Sequence, residues 1–502
     1  MPRESRLSGR AFWGLASWAL PLVVVFIVSP KLLHVLGADR FGVLMIALVT
    51  PLIAAQLDFG IASTAVRYIA SASRGGVVDA GETLLSLFAA FFLVGFAYGA
   101  VLWICAGAIS EVLGFQAALG AAEGRDLVRA CAVWFAVSLW TMLPGVAARA
   151  FQCLLLIAVL QTLSTLALWV TAWLLIREGR PVEAVAWLGI GLGVVISAIT
   201  LAFVSRHIDW KQHVRLRLGI LKSEAGFSVG MFAAQAANAF SYQGDRLLVS
   251  TLGSPAVAGL YALCVNVANK TTAAVAAMSG FAFPHAAELI AANRSERIGG
   301  LLQSLDRAIT VLIVPVVLPA LLLAEPFLAL WIRDFATQEV VFTFRILVVA
   351  FALPAFAVPL SNVLAGVGRS DLLARFAWLT VVVLFVSSAL LVPRLGLVGA
   401  ALAMLCANST TFLFSRVGRR ALQLGPVAGR GRFWAGILLG CLVQLAPLLW
   451  LAGNAASWAV LLAGGLITWA LFYLARMALK ILSPEERELI AKVRRRLGTL
   501  PD

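Results

Sequence analysis

The hydrophobic pattern of this chain is a series of fourteen apolar segments joined by short polar connections. Each segment has about 20 residues, which is the length an α-helix needs to cross the hydrocarbon core of a bilayer. Apolar residues are nearly continuous within each segment, without the period-two alternation of transmembrane barrel strands. We place the spans at residues 12–34, 41–60, 84–109, 130–148, 151–176, 184–204, 226–250, 257–283, 308–331, 340–365, 372–392, 396–414, 433–451 and 456–478. The pattern predicts an all-α polytopic membrane protein.

The distribution of Lys and Arg predicts the orientation of these spans. With the N-terminus in the cytoplasm, 28 of the 39 basic residues fall in cytoplasmic segments and nine in outer segments. This bias is the one that the positive-inside rule describes. We therefore expect both termini in the cytoplasm, with the chain crossing the plasma membrane many times. The first span, which follows a basic start, is too long for a signal peptide and is expected to be retained.

The composition changes this picture little. Apolar residues make up 62% of the chain, which excludes an ordinary soluble protein. The net charge of +15 is spread over eight cytoplasmic pieces, so it favours contact with anionic membrane lipids and argues against a nucleic-acid partner. The six cysteines all lie in spans without metal-ligand spacing, and the four histidines are scattered. We predict no metal, no cofactor and no catalytic residues.

The chain also contains a weak internal repeat. Residues 36–42 (LGADRFG) precede span two, and residues 252–259 (LGSPAVAG) precede span eight, six spans later. A parallel repeat of six helices predicts two bundles related by a pseudo-two-fold axis along the membrane normal; chance recurrence of Leu and Gly is the alternative. The predicted parts are an N-terminal six-helix bundle (1–204), a cytoplasmic linker (205–225), a C-terminal six-helix bundle (226–415), an extra helix pair (433–478) and a basic amphipathic cytoplasmic tail (479–502).

Three stretches resemble bacterial polysaccharide exporters, the O-antigen or lipid-linked oligosaccharide flippases. These stretches are residues 36–70 (LGADRFGVLMIALVTPLIAAQLDFGIASTAVRYIA), 245–263 (DRLLVSTLGSPAVAGLYAL) and 392–404 (VPRLGLVGAALAM). Those exporters share a superfamily with the multidrug and toxin extruders and the lipid II flippase. The resemblance implies two six-helix bundles around a central cavity that opens alternately to each side. It also implies that spans thirteen and fourteen form a groove for a polyprenyl tail.

Lys270 is the charge that topology explains least. It lies near the middle of span eight, where a lysine costs about 2.5–3.5 kcal/mol even on the lenient insertion scale. Asn266, one helical turn earlier, shares its face, and Asn269 lies obliquely beside it. A cation among amides suits a phosphate or pyrophosphate, so we predict that these three residues bind substrate. The alternative is a structural lysine neutralised by a nearby carboxylate.

Span seven carries polar residues at helical spacing. Gln235, Asn238, Tyr242 and Asp245 follow one another at intervals of three, four and three, which places them on one face. We predict that Gln235 and Asn238 line the cavity, although such amides also bond neighbouring helices. Asp245 and the adjacent Arg246 are predicted to form an ion pair or to take part in gating.

Three further charges and four prolines complete the candidate list. Arg67 at the cytoplasmic mouth beyond span two and Arg345 in span ten are candidate substrate-binding cations, with interfacial anchoring and snorkelling as their alternatives. Asp58 lies near the inner interface and joins the gating and ion-pair group. Proline bends are expected at two positions in span nine and two in span ten, either as gates or as ordinary curvature: Pro315, Pro319, Pro354 and Pro359.

These observations favour a flippase for a polyprenyl-pyrophosphate-linked oligosaccharide that serves export of O-antigen, lipopolysaccharide or exopolysaccharide. Its partners would be that lipid-linked oligosaccharide, anionic lipids and polysaccharide-assembly proteins. No Gly-Lys dipeptide occurs, so no P-loop ATPase is built in. A drug/cation antiporter of the same fold is the first alternative, but a central lysine would repel a cationic drug. A membrane glycan polymerase or ligase is the second, and the short outer connections without a His or carboxylate cluster argue against it.

Overall fold

The structure is a computed structural model in which residues 2–56, 80–151, 153–207, 236–237, 239–240, 243–280, 282–292, 294–424, 430–455 and 457–478 are described. The regular structure in these ranges is helical, without a strand. Within them, nine helical segments are long and apolar enough to cross a membrane. A tenth forms if Phe88–Ile104 and Ala106–Val112, which meet at an angle of 68°, count as one bent span. The predicted all-α polytopic fold is confirmed.

The chain divides into two compact units, Met1–Ala262 and Leu263–Asp502. In the first unit α6 is central, because it packs against both α3 and α8, while α1 packs against α7. Phe91, Leu139 and Leu143 form part of its buried core. The helices of this unit are α1 (Pro2–Ala47), α2 (Thr50–Ala54), α3 (Ala80–Ile104), α4 (Ala106–Val112), α5 (Phe115–Leu119), α6 (Ala121–Ala150), α7 (Leu154–Arg177), α8 (Glu183–Val204), α9 (Gly244–Leu252) and the first half of α10 (Pro255–Ala268).

In the described residues of the second unit, the rest of α10 is followed by nine further α-helices. α15 packs along α17, and α18 pairs with α19 and also packs against α13. Leu302, Leu360 and Leu364 belong to one of its buried apolar clusters. The helices are α11 (Lys270–Ser279), α12 (Ala282–Ala291), α13 (Ile298–Leu322), α14 (Ala324–Ile332), α15 (Gln338–Ala355), α16 (Val358–Gly366), α17 (Ser370–Ala421), α18 (Arg430–Asn454) and α19 (Trp458–Ala478).

Two glycines mark predicted turns between spans. α1 contains a non-helical residue at Gly37, with φ of 72°, between predicted spans one and two. α17 contains another at Gly396, with φ of 53°, where predicted span twelve begins. Positive φ is readily accessible to glycine because it has no Cβ. Each long helix is therefore two arms that meet at a glycine.

The repeated motifs pack against each other. A Cβ built on Gly42 would stand 1.7 Å from the carbonyl oxygen of Pro255, and one built on Gly259 would stand 2.6 Å from Gly42 Cα. Nearby, the Ser250 hydroxyl donates to the carbonyl of Leu113 at 2.7 Å. These contacts explain why α9 and the start of α10 belong to the first unit. The predicted bundle boundary at 205–225 stays a prediction, because residues 208–225 lie outside the described part of the chain.

Prolines inside the helices of the second unit leave carbonyl groups without their helical donors. A proline at position i has no N–H for the carbonyl at i−4. Pro315 therefore frees the carbonyl of Val311, which accepts a hydrogen bond from the Tyr473 hydroxyl at 3.0 Å. Pro319 frees the carbonyl of Pro315, which accepts from Gln444 Nε2 at 3.4 Å. Both donors come from the last two helices, so α18 and α19 complete the backbone hydrogen bonding of span nine.

Candidate functional site

Lys270 is the first residue of α11 and directly follows the one-residue break after α10. It lies 15 residues beyond the start of α10 at Pro255, or about 22 Å along the helix axis at 1.5 Å per residue. The side chain of Lys270 is exposed, whereas Asn266 and Asn269 are half-buried. Asn269 keeps helical dihedrals (φ −65°, ψ −15°), so all three residues lie on nearly continuous helix. Lys270 is therefore exposed between α10 and α11, and its depth in a membrane stays a prediction.

The opposite side of α11 is buried in the second unit. Thr272, Val275 and Ser279 are 7%, 0% and 1% exposed, and this side packs on α13, α15 and α16. At about 100° per residue, Lys270 is rotated well away from the direction that these three share. The ammonium group thus lies on the side of the helix that the packing of this unit leaves exposed.

Two hydrogen bonds hold the buried side of α11 against span ten. The Thr272 hydroxyl donates to the carbonyl of Phe351 on α15 at 2.5 Å. Asn362 Nδ2 on α16 donates to the carbonyl of Ser279 at 3.0 Å. The first bond lies in the first turn of α11 and the second at its last residue. The backbone that carries Lys270 is therefore attached at both ends.

Asp245 is buried at the start of α9, with 2% exposure. The Tyr261 hydroxyl on α10 donates to Asp245 Oδ2 at 3.1 Å, and the backbone amide of Arg246 donates to Oδ1 at 2.8 Å. These bonds join the two arms of the α9–α10 hairpin. They give Asp245 a structural task, while the predicted gating role of Asp245 and Arg246 stays a prediction.

Arg345 lies half-buried in α15, and its Nε donates to the carbonyl of Leu321 at 3.0 Å. Leu321 is in the last turn of α13, where carbonyl groups have no partner within the helix. A cation at this end also interacts favourably with the helix dipole. The contact supports a capping role, so we do not include Arg345 in the proposed substrate site.

The other predicted residues lie outside the described part of the chain. Gln235 and Asn238 of span seven are among them, as are Asp58 of span two and Arg67 beyond it. The structure therefore brings together Lys270, Asn266 and Asn269 on one segment. The roles of the polar stripe of span seven and of the charged residues Asp58 and Arg67 stay predictions.

The sequence reasoning missed a group of charges in α13, α17 and α19. Asp306 of α13 forms a half-buried ion pair with Arg419 of α17. Arg476 of α19 has no exposed surface and lies over the rings of Phe433 and Phe472, 5.9 and 5.6 Å from their centroids. The sequence signal for this pair was the acidic Asp306, which stands among the many basic residues of the predicted cytoplasmic segments. The positive-inside rule explains those basic residues but does not explain an acidic one.

The described residues do not contain a group of three or more His, Cys, Asp or Glu side chains that could hold a metal ion. Some of their polar contacts join two helices, such as that of Thr272 with Phe351, and many others lie within one helix, such as that of Thr162 with Ala158. The arrangement can therefore offer an exposed positive charge on a helix that is bonded to its neighbours. This chemistry fits binding of an anion.

Solved structures with the same fold are membrane transporters. The lipid II flippase MurJ, in an inward closed conformation, matches with a TM-score of 0.68 and 11% identity, covering 93% of this chain and 99% of its own. An inward-facing multidrug resistance MATE family transporter of the MOP superfamily matches with a TM-score of 0.60 and 16% identity over 81% of this chain and 94% of its own. A mutant of the Vibrio cholerae MATE transporter VcmN matches with a TM-score of 0.54 and 17% identity, covering 82% of this chain and 96% of its own. At these identities the likeness shows the fold.

The sequence itself gives the family. No curated protein sequence matches the chain. The profile of the family described as polysaccharide biosynthesis protein matches residues 32–335, more than half of the chain. That range includes Lys270 and runs from α1 to the end of α14. A multi-pass helical membrane protein with this match belongs to the polysaccharide biosynthesis protein family.

Proposed function

We propose that this protein moves a polyprenyl-pyrophosphate-linked oligosaccharide from the cytoplasmic to the outer leaflet of the bacterial inner membrane by alternating access. The family supports a role in polysaccharide biosynthesis, and the fold is shared with a lipid II flippase and with MATE transporters. The product would supply export of O-antigen or another lipopolysaccharide component, or of an exopolysaccharide. Both termini would lie in the cytoplasm, as the positive-inside rule indicates.

The position of Lys270 is the observation that carries this proposal. A lysine at membrane depth is costly unless water or an anion surrounds it. Lys270 is exposed, on the side of α11 turned away from the packed face. An ammonium group carries three donors and a compact charge, which suits a phosphate. We infer that Lys270 holds the pyrophosphate, with Asn266 and Asn269 bonding phosphate or sugar oxygens.

Substitution of Lys270 tests this role. In proteoliposomes carrying a fluorescent undecaprenyl-pyrophosphate oligosaccharide, we expect Lys270→Ala to lower the flipping rate about tenfold or more. A charged hydrogen bond contributes about 1.5–3 kcal/mol, and this loss is of that order. Lys270→Arg keeps the charge and should retain part of the rate. Lys31→Ala is the matched control, because it also removes an exposed lysine, whose Nζ lies 4.9 Å from the Trp173 ring centroid. This control should flip the substrate at the wild-type rate. A wild-type rate in Lys270→Ala would remove Lys270 from the mechanism.

A drug/cation antiporter is the second candidate, favoured by the MATE likeness and by the buried carboxyl of Asp245. Such a transporter exchanges a cationic drug for H⁺ or Na⁺ at embedded carboxylates. Ethidium uptake into the same proteoliposomes distinguishes the two functions. We expect no gradient-driven ethidium transport. Transport that is abolished in Asp245→Asn but kept in Lys270→Ala would establish the antiporter instead.

A further inference from the structure

The bond between Thr272 and Phe351 lies beside a proline in span ten. Pro354, near the end of α15, removes the helical donor for the carbonyl of Ala350. Asn408 Nδ2 on α17 donates to the carbonyl of Ala350 at 2.9 Å. The Thr272 hydroxyl donates to the next carbonyl, at Phe351. Two neighbouring carbonyls ahead of Pro354 are thus bonded by one donor from span twelve and one from span eight.

The apolar contacts around this bond make the support stiff. Val275 lies in one buried cluster with Ile309 and Ile313 of α13 and with Ala352 and Ala355 of α15. These side chains are at most 7% exposed. Close packing of this kind transmits displacement, because interiors have few voids to absorb it. A shift of α11 would therefore disturb the packed residues of α13 and α15 as well.

Lys270 and Thr272 lie in the same helical turn and point to nearly opposite sides. We propose that Thr272 and Asn362 are positioning residues for Lys270, which fix the position and direction of its ammonium group by bonding α11 to span ten. This inference rests on the proposed anion-binding role of Lys270. Neither positioning residue touches the substrate. Their effect on binding passes through the backbone of α11.

The test compares variants that differ only in the hydroxyl donor. Thr272→Val keeps the shape and removes the donor, while Thr272→Ser keeps the donor. Thr310→Val is the matched control, because Thr310 is 5% exposed and its hydroxyl bonds to the carbonyl of Asp306 on its own helix. Asn362→Ala removes the second bond from a distance, and it replaces Thr272→Val if that variant does not fold.

Two measurements are made on full-length protein in nanodiscs. The first is amide hydrogen exchange of the peptide covering residues 270–279, which needs no substrate. The second is equilibrium binding of geranylgeranyl pyrophosphate, with geranylgeraniol as the probe that lacks the anion. We expect Thr272→Val and Asn362→Ala to speed exchange and to weaken pyrophosphate binding, each by about three-fold or more. Thr272→Ser and Thr310→Val should stay within about two-fold of the wild type in both.

The outcomes separate this inference from the proposed function. Unchanged exchange and binding in Thr272→Val, with binding lost in Lys270→Ala, would overturn the positioning role and leave the anion site intact. Faster exchange with unchanged pyrophosphate binding would also overturn it, because the bond would then be structural only. If Lys270→Ala binds pyrophosphate as the wild type does, the anion site and the positioning role fail together.

Discussion

At the scale of single residues, Gly37 shows how one position directs the path of the chain. Its φ of 72° breaks α1 where predicted span one gives way to span two. A Cβ at this position would meet no atom within 4 Å, so space is not the constraint. The constraint is conformational, since an L residue with a side chain is strained at this φ by about 1–2 kcal/mol.

We expect Gly37→Ala to lower the free energy of unfolding by about 1 kcal/mol or more. Gly107→Ala is a matched control, because its Cβ would also meet no atom within 4 Å and its φ is not in the strained region. Alanine should be neutral or stabilising there, since it is the better helix former. Thermal unfolding in detergent, followed by circular dichroism, measures both. Equal midpoints for the two variants would show that Gly37 is not strained by a side chain.

At the scale of elements, two other helices supply the donors that the prolines of span nine remove. Gln444 is fully buried and also donates to the carbonyl of Thr468, so it joins α13, α18 and α19. Tyr473 adds the bond to Val311. Helices α18 and α19 are thereby part of the second unit's packing. Whether the prolines of span nine serve as gates or as curvature stays a prediction.

A double-mutant cycle tests the link between Gln444 and Pro319. Gln444→Leu leaves the carbonyl of Pro315 without its donor and should cost about 0.5–2 kcal/mol. Pro319→Ala restores the helical N–H to that carbonyl, so Gln444→Leu should cost less in the Pro319→Ala background. The free energy of unfolding in mixed micelles is the readout. A cost that is the same in both backgrounds would mean that the two residues are not coupled.

The sequence predicted the spans well but not their internal breaks. The length of an apolar run in the sequence is close to the length of the helix it forms. Helices such as α8 and α19 therefore begin and end within about two residues of the predicted spans. The bend of 68° after Ile104 and the break at Asn269 depend on tertiary packing, which a hydropathy window does not read. Lys270 was predictable because a mid-span cation is costly. Its support was not, since Phe351 is 79 residues from Thr272 in the chain.

At the scale of the whole molecule, the distribution of basic residues predicts which connections between spans face the cytoplasm and which face outward. Glu296, between α12 and α13, should face the cytoplasm, and Asp334, between α14 and α15, should face outward. Both positions are exposed. In a variant with its six cysteines replaced, we expect a membrane-impermeant maleimide to label Asp334→Cys in intact spheroplasts. Glu296→Cys should react only after permeabilisation, and labelling in the reverse order would invert the topology.

The contact between Gly42 and Pro255 has a consequence for how the repeated motifs respond to force. Dispersion contacts decay within about an ångström of their optimum, whereas charges act over the Debye length of roughly 8–10 Å. The atoms nearest to a Cβ built on Gly42 or Gly259 are backbone atoms of Pro255, Ala256 and Gly42 and a ring carbon of Phe41, none of them charged. A contact of this kind weakens over a short separation and depends little on salt. We therefore expect the two copies of the Leu-Gly motif to lose their attraction within a short separation, with little effect of ionic strength on the force required.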